Sequence, residues 1–283
     1  MSSILTNNSA MAALSTLRNI NNNLGETQGR ISSGMKVASG KDNAAYFAIS
    51  SSMKGDSGML KAIDESLTMT KNATSTGRLG AETVQGLAQQ FVERVAFAQS
   101  GTPADLAKVQ EELTALTARM DTSIKQSTFN GVSMVDAAAT STVVSGITRG
   151  TDPVTGAATF NTTTISLTSV DLTAVHTALS GIDLVASGAA GTLATDLATA
   201  EGQLKAATDA ATTLGIGEKT IDTQKQFLGE LSKRMDAGVG GMVDANMEEE
   251  AARLQSLQVQ QQLATQSLSI ANQAPQSILS LFR

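Results

Sequence analysis

The chain has 283 residues, of which 41% are apolar, 16% charged and 3% aromatic, with a formal net charge of −6, no Cys, no Trp and one His. This composition excludes a disulfide scaffold, a Cys-ligated metal site and a thiol nucleophile. It also lacks the clustered Lys and Arg and the aromatic stacking surface on which nucleic-acid binding rests, so no nucleic-acid partner is expected. What remains is an Ala/Ser/Thr/Leu/Gln chain held by aliphatic packing and long enough to bury a sizeable core.

The N-terminus reads MSSILTNNSAMAALSTLR, with Asn, Ser and Thr breaking every apolar run and the first charge at Arg18. Neither a cleavable secretory signal nor a membrane span is expected, since a span needs roughly 18 or more apolar residues. Leu14, Leu17, Asn21, Leu24, Gln28, Ile31 and Met35 alternate in steps of three and four, which predicts a heptad seam. Polar Asn21 and Gln28 within such a seam lower stability but fix register and partner number. Residues 43–99 contain no Pro and predict one long helix that Gly55, Gly58, Gly77, Gly80 and Gly86 weaken without ending. Ser100–Pro103 breaks it. Thr102 is placed to cap the next helix, with Pro103 at its first position and Asp105 complementing its dipole. Leu106, Val109, Leu113, Leu116 and Met120 form that helix's seam, and Asn130–Gly131 is read as its stop.

Between 136 and 191 Ser and Thr dominate. The turn signal at Thr151–Gly156, between TVVSGIT and the alternating TTTISLTSV, predicts one or two β-hairpins. Asp171 then caps a short helix bearing Leu172, Val175, Leu179 and Ile182, and GAAG at 188–191 reopens the chain. A further helix is predicted over 192–235, with a seam of Leu197, Ala200, Leu204, Ala207, Ala211, Leu214, Ile221, Leu228 and Met235. Gly238, Gly240 and Gly241 mark an expected hinge. Beyond it Val243, Met247, Glu250, Leu254, Leu257, Gln261, Ala264, Leu268 and Ala271 repeat the three-four spacing, and Leu263 and Ile270 widen the stripe.

The fold class expected is mainly α with a small β-containing insert, a nested rod of long helices. Its terminal coiled-coil pair (1–40 and 241–283) leads into a helical core (41–135 and 192–240) and an outer insert (136–191). Residues 1–17 and 254–282 carry no charge, whereas a solvated helix face normally carries Lys and Glu. A plain helix pair inside one domain leaves that unexplained. Termini that pair and then bury their second faces against other copies account for it.

Sites for chemistry are sparse. His176, the only His, lies beside an apolar stripe among Val and Thr and supports no catalytic arrangement. No phosphate-cradling GxxxxGK[ST] loop is present, and Gly238–Gly241 has no strand before it. Glu248, Glu249 and Glu250 point in three directions on a helix and are read as a solvated first turn that complements the dipole. No catalytic residue, metal or cofactor is expected.

The opening ILTNNSAMAALSTLRNINNNLGETQGRISSGMKVASGKDNAAYFAIS resembles the N-terminal region of bacterial flagellins, above all in RISSG (30–34) and SGKDNAA (39–45). STFNGVSMV (127–135) is similar to the end of that family's second core helix. The segment 242–283 resembles the flagellin C-terminus throughout, SLSIANQ and ILSLFR most tellingly. The likeness covers roughly 1–135 and 192–283, leaves the insert unmatched, and is greatest to compact alphaproteobacterial flagellins.

The resemblance implies a non-enzymatic filament subunit for swimming motility, exported by the flagellar type III apparatus and polymerised under a distal cap. Implied partners are other flagellin copies, cap and hook–filament junction proteins, the export apparatus, and an export chaperone or regulator on the C-terminal segment. The seams then supply the expected assembly interface, Leu14, Leu17, Asn21, Leu24, Gln28, Ile31, Met247, Leu254, Leu257, Gln261 and Leu268; the resemblance implies that the insert faces outward, and its Thr/Ser-rich composition suggests O-glycosylation. The family's innate-receptor motif falls at 91–99, where only Arg94 and Gln99 look retained beside Phe91, so weak recognition is expected. The competing readings are a hook–filament junction protein and a secreted effector with flagellin-like ends. The insert holds too few acids and His for the second, and the zinc-protease motif HExxH is absent.

Overall fold

A computed structural model describes residues 7–151 and 158–281, so Asp152–Gly156 of the expected turn lie outside the described residues. In chain order the elements are α1 (Asn8–Ser33), α2 (Ala44–Ala98), α3 (Pro103–Gln126), β1 (Thr128–Phe129), β2 (Val132–Ser133), β3 (Thr140–Thr151), β4 (Ala158–Thr168), α4 (Leu172–Ser180), α5 (Leu184–Ala190), α6 (Leu193–Val243) and α7 (Met247–Leu281). They pack as two compact units, one made of 1–57 with 233–283 and the other of 58–232. No described helix is long and apolar enough to cross a membrane.

In the 58–232 unit the buried residues of α2 and α6 recur every seven positions. Leu60, Leu67, Ala81, Ala88 and Val95 do so on α2, and Ala200, Ala207, Leu214, Ile221 and Leu228 on α6. A strict seven-residue recurrence keeps a narrow seam on one side of a long helix. Lys71 pairs with Asp222 at 2.6 Å and Arg78 with Glu218 at 2.9 Å, laying the two helices side by side. The predicted α3 seam is buried as expected and extends to Ile124. At its start the Asp105 carboxylate accepts from the Thr102 backbone N–H at 3.1 Å and hydroxyl at 2.6 Å, and these bonds hold its pKa below the usual carboxylate range.

Three sequence expectations need correction in this unit. Asn130–Gly131 does not stop α3, which ends at Gln126. With φ of 50° and 77° the two residues form the turn of a short hairpin, Thr128 opposite Ser133 and Phe129 opposite Val132. GAAG does not open the chain, because Asp183 caps α5 by accepting from Val185 and Ala186 N–H, and Leu184 is fully buried. Gln110 of α3 bridges the α4–α5 corner, donating to Ile182 O at 3.1 Å and accepting from Leu184 N at 2.9 Å. Third, the α6 seam passes through Ala210 rather than Ala211.

Among the described residues the insert holds one long antiparallel ribbon, β3–β4, with Val143 opposite Ile165 and a bulge between Val144 and Gly146. Its base is pinned by buried Ser169, whose hydroxyl donates to Ala137 O at 2.6 Å and accepts from Ala139 N at 3.0 Å. Near the bulge, Gln224 of α6 donates to Ser145 O at 2.7 Å.

Gly80 explains itself by close approach. A Cβ there would overlap Ser127 Oγ and lie 2.6 Å from Ser127 Cβ, where the chain leaves α3. Ser127 is buried and its hydroxyl is tied to Ser123 O at 2.6 Å, so it cannot swing aside cheaply. Gly80→Ala is therefore expected to destabilise this unit by about 1–2 kcal/mol, overpacking outweighing the helix propensity that Ala gains. A lower urea midpoint at unchanged slope is the readout.

Candidate assembly interface

In the other unit α1 and α7 run antiparallel against each other. Heptad seams allow two helices to lie together, and both sequences carry one. On α7 the structure turns inward the set Glu250, Leu254, Leu257, Gln261, Ala264, Leu268 and Ala271, as the spacing predicts. Two residues assigned to that seam do not belong to it: Val243 ends α6, and Met247 is exposed at the start of α7.

On α1 the seam is rotated by one residue from the predicted one. Its inward set is Ala10, Ala13, Leu17, Ile20, Leu24, Thr27 and Ile31, with Ile20 and Thr27 buried. Leu17, Leu24 and Ile31 are shared with the prediction. Leu14, Asn21 and Gln28 instead lie exposed beside the seam, and Met35 is past the helix end. The rotation places Asn21 at the edge, where its Oδ1 accepts from Gln261 Nε2 at 2.7 Å. Asn21, picked out as a register-fixing polar position, thus bonds Gln261, a polar member of the expected α7 seam, across the pair.

Two more polar contacts share this register. Asn7 caps α1 by accepting from Ala10 N at 3.0 Å and donates its amide to Ala271 O at 2.7 Å on α7. At the opposite end Arg30 Nη1 pairs with Glu250 Oε1 at 3.3 Å. Glu250 is only 5% exposed and its second oxygen is buried without a hydrogen-bond partner, so the solvated role expected for it is wrong. Glu248 and Glu249 are exposed, and their N–H groups donate to Asn246 Oδ1, which caps α7. The Glu triplet signals a helix start, but which carboxylate turns inward depends on the seam, and Glu250 falls on it.

The hinge expected at Gly238, Gly240 and Gly241 is not where the chain bends. All three lie inside α6, which runs unbroken to Val243. Glycine in a helix interior costs about 1 kcal/mol against Ala. Here the cost is offset by burial of Val239 and Val243 and by the Ser57 hydroxyl donating to Asp236 Oδ1 at 2.7 Å. The reversal falls at 244–246 and is bonded to the reversal after α1. Gly34, in the left-handed region at φ 71°, ends α1 and accepts from Ala245 N at 2.9 Å, while Val243 O accepts from Lys36 N at 2.6 Å and Val37 N at 3.2 Å. Asp42 accepts from Ser39 N at 2.9 Å and Ala38 N at 3.0 Å, the bond from Ser39 contributing most to holding its pKa down. Sequence reasoning missed this paired reversal; Gly34 after a heptad seam was its one legible sign.

Residues 4–140 carry the signature of the bacterial flagellin N-terminal helical region, and residues 197–282 that of the bacterial flagellin C-terminal helical region. The chain belongs to the bacterial flagellin family. It is 34% identical to a flagellin of Brucella melitensis, each chain covered in full. It is 35% identical to flagellin FljK of Caulobacter vibrioides, over all of this chain and 99% of the other. Flagellin C of Rhizobium meliloti is 34% identical, again over both complete chains. Membership makes the chain a structural subunit of the extracellular flagellar filament. On the side of α7 turned away from α1, Val259, Leu263 and Ile270 are 55%, 56% and 70% exposed, and Met11 on the far side of α1 is 57% exposed.

Proposed function

We propose that the α1–α7 pair, with the terminal segments 1–40 and 241–283, is the element that polymerises this subunit, and that 41–135, 192–240 and the 136–191 insert form the body and surface around it. The observation that carries the reading is the second stripe on α7. Ala252, Ser256, Val259, Leu263 and Ile270 repeat at three-four spacing or its multiples on the face opposite the α1 seam, with no charge among them. A monomer gains nothing from such a face in water, and a neighbouring copy supplies the missing partner surface. In this reading the chain is structural rather than catalytic. It is handed to the filament by the flagellar export apparatus, with a chaperone or regulator covering the C-terminal helix beforehand, and it meets cap and hook–filament junction proteins through the same pair.

The test is seeded polymerisation of purified full-length protein and of residues 41–241, followed by pelleting and negative-stain microscopy. Tubes from the full chain alone support the reading. Tubes from both, or from neither while both remain folded, overturn it.

The receptor-motif region supports weak recognition in more detail than its letters do. Phe91 is fully buried in the core and unavailable to any partner. Arg94 Nε is engaged by Glu112 at 3.1 Å, and Gln99 donates to Leu193 O at 3.1 Å. Purified monomer is expected to require well above nanomolar concentration to activate the mammalian flagellin receptor in a reporter-cell assay.

A further inference from the structure

We infer that Asn130 is a self-modifying position: its side-chain amide is lost to attack by the Gly131 backbone nitrogen, and the turn converts with time to aspartate and isoaspartate. This does not depend on which element polymerises the subunit.

Asn is a thermally labile side chain, and the backbone that follows it decides how readily it reacts. Attack needs a following nitrogen that is unhindered and not locked in a hydrogen bond. Asn130 is the one Asn in the sequence followed by Gly, so no Cβ shields that nitrogen. Both residues are exposed, and a Cβ added to Gly131 would meet no atom within 4 Å. Their φ values of 50° and 77° make the turn type I′. The closing bond of such a turn is donated by its fourth residue, here Val132, which leaves the Gly131 N–H outside it. Among the described residues none hydrogen-bonds the Asn130 amide. Each flanking strand has two residues, so the turn opens for attack at far less cost than unfolding the 58–232 unit. Elsewhere the fold protects. Asn19, Asn21, Asn22, Asn23 and Asn72 lie inside helices, where the next N–H is committed to a carbonyl one turn back. Asn7, Asn43 and Asn246 cap helices, their side-chain oxygens accepting from the N–H of Ala10, Tyr46 and Glu248.

The chemistry balances with water alone. The Gly131 nitrogen bonds to Asn130 Cγ, and its proton passes through water to the departing amide. The Cγ–N bond of that amide breaks, ammonia leaves and a succinimide ring remains. Water then adds to one of the two ring carbonyls. Opening at one restores the ordinary backbone with aspartate. Opening at the other routes the main chain through the former side chain as isoaspartate, one methylene longer. The flanks cannot absorb that length. Ser127 abuts Gly80, and a Cβ on Gly77 would lie 2.8 Å from Met134 Cβ, with Val135 buried beyond it. The extra length therefore falls on the turn, and Phe129 and Val132 lose their register. Aspartate keeps it, because Asp–Gly suits the same turn.

The experiment ages purified full-length protein in mildly alkaline buffer and digests it with trypsin, which isolates Gln126–Arg149 between Lys125 and the cut after Arg149. Mass spectrometry reads conversion of the amide, and labelling by an isoaspartyl methyltransferase reads isoaspartate. Asn130 is expected to convert ahead of every other Asn, and faster as pH rises. Aged protein is expected to lose hydrogen-exchange protection at Phe129 and Val132 and to unfold at a lower urea midpoint. Fresh Asn130→Asp keeps both at native values, which separates the rerouted backbone from the added charge. Asn130→Gly retains a turn of the same type and gains no isoaspartate there on ageing. An intact Asn130 in the folded chain, while the same chain in urea converts, overturns the inference, as does conversion of another Asn first. Full conversion to isoaspartate with native protection and midpoint, or an equal loss in aged Asn130→Gly, overturns the effect assigned to the turn.

Discussion

Leu17→Asp is expected to abolish seeded polymerisation and to separate α1 from α7, leaving a soluble monomer that is still exported. Leu17 is one of the three α1 residues that belong to the seam in both the sequence pattern and the structure, and it faces the α7 set that includes buried Leu257. Losing a Leu from such a contact costs about 1.5–3 kcal/mol of apolar burial. Placing a carboxylate there adds the penalty of a charge with no cation opposite it, for a total of about 3–5 kcal/mol. An antiparallel pair that buries few large side chains has little margin against that. The 58–232 unit contains none of these contacts, so its cooperative unfolding is expected to stay in place while helical circular dichroism falls by the share of α1 and α7. Leu263→Asp provides the contrast. Leu263 is 56% exposed on the far face of α7, so the pair stays formed and only polymerisation is lost. Wild-type filament yield from Leu17→Asp overturns the seam; wild-type yield from Leu263→Asp overturns the second face.

How far the sequence could be read depended on whether one periodicity dominated. The strongest stripe on α7 is Leu at 254, 257 and 268, so its inward face from Glu250 to Ala271 came out correctly, while Val243 and Met247 ahead of it did not. α1 offers two stripes one residue apart that share Leu17, Leu24 and Ile31. One adds Leu14, Asn21 and Gln28, the other Ala13, Ile20 and Thr27. Apolar content barely separates them, and the choice is made by what α7 presents, above all Gln261 bonding Asn21 at the edge. The glycines near the end of α6 were read by local propensity as a bend. Tertiary burial of Val239 and Val243 outweighs propensity there, and no local window carries that information. The Asn130–Gly131 hairpin was legible as a turn, but with two residues in each strand it was too short for any alternation to show. The likeness to flagellins needed no geometry, because RISSG and SGKDNAA are read as strings. Asn7, Arg30 and Glu250 were hidden because a polar residue reveals its partner only once the register is known.

Arg30→Ala is expected to cost more than its solvent exposure suggests, and Glu250 is the reason. The Arg30 side chain retains 30% of its exposure, and an ion pair of that kind at a surface contributes only about 0–1 kcal/mol. The Glu250 side chain retains 7%, and its other oxygen is buried without a partner. Removing Arg30 therefore strands a carboxylate in the seam, and breaking buried pairs from one side costs about 3–5 kcal/mol. Because Arg30 is partly solvated, about 2–4 kcal/mol is the expected loss for the α1–α7 pair. Glu250→Gln keeps the shape and removes the charge, so it is expected to cost less than Arg30→Ala and to rescue most of the loss when the two are combined. Arg30→Met with Glu250→Leu goes further: with no charge left to desolvate, the pair is expected to be at least as stable as the native one. What the double variant loses is a polar contact that fixes how α1 and α7 align, leaving Asn7–Ala271 and Asn21–Gln261 to do so alone. Filaments from the double variant are then expected to form at native protein concentration but to lose long-range helical order. Loss of layer-line sharpness in their diffraction, with helix content retained, reads this out. Native order in those filaments places register control in the two remaining contacts.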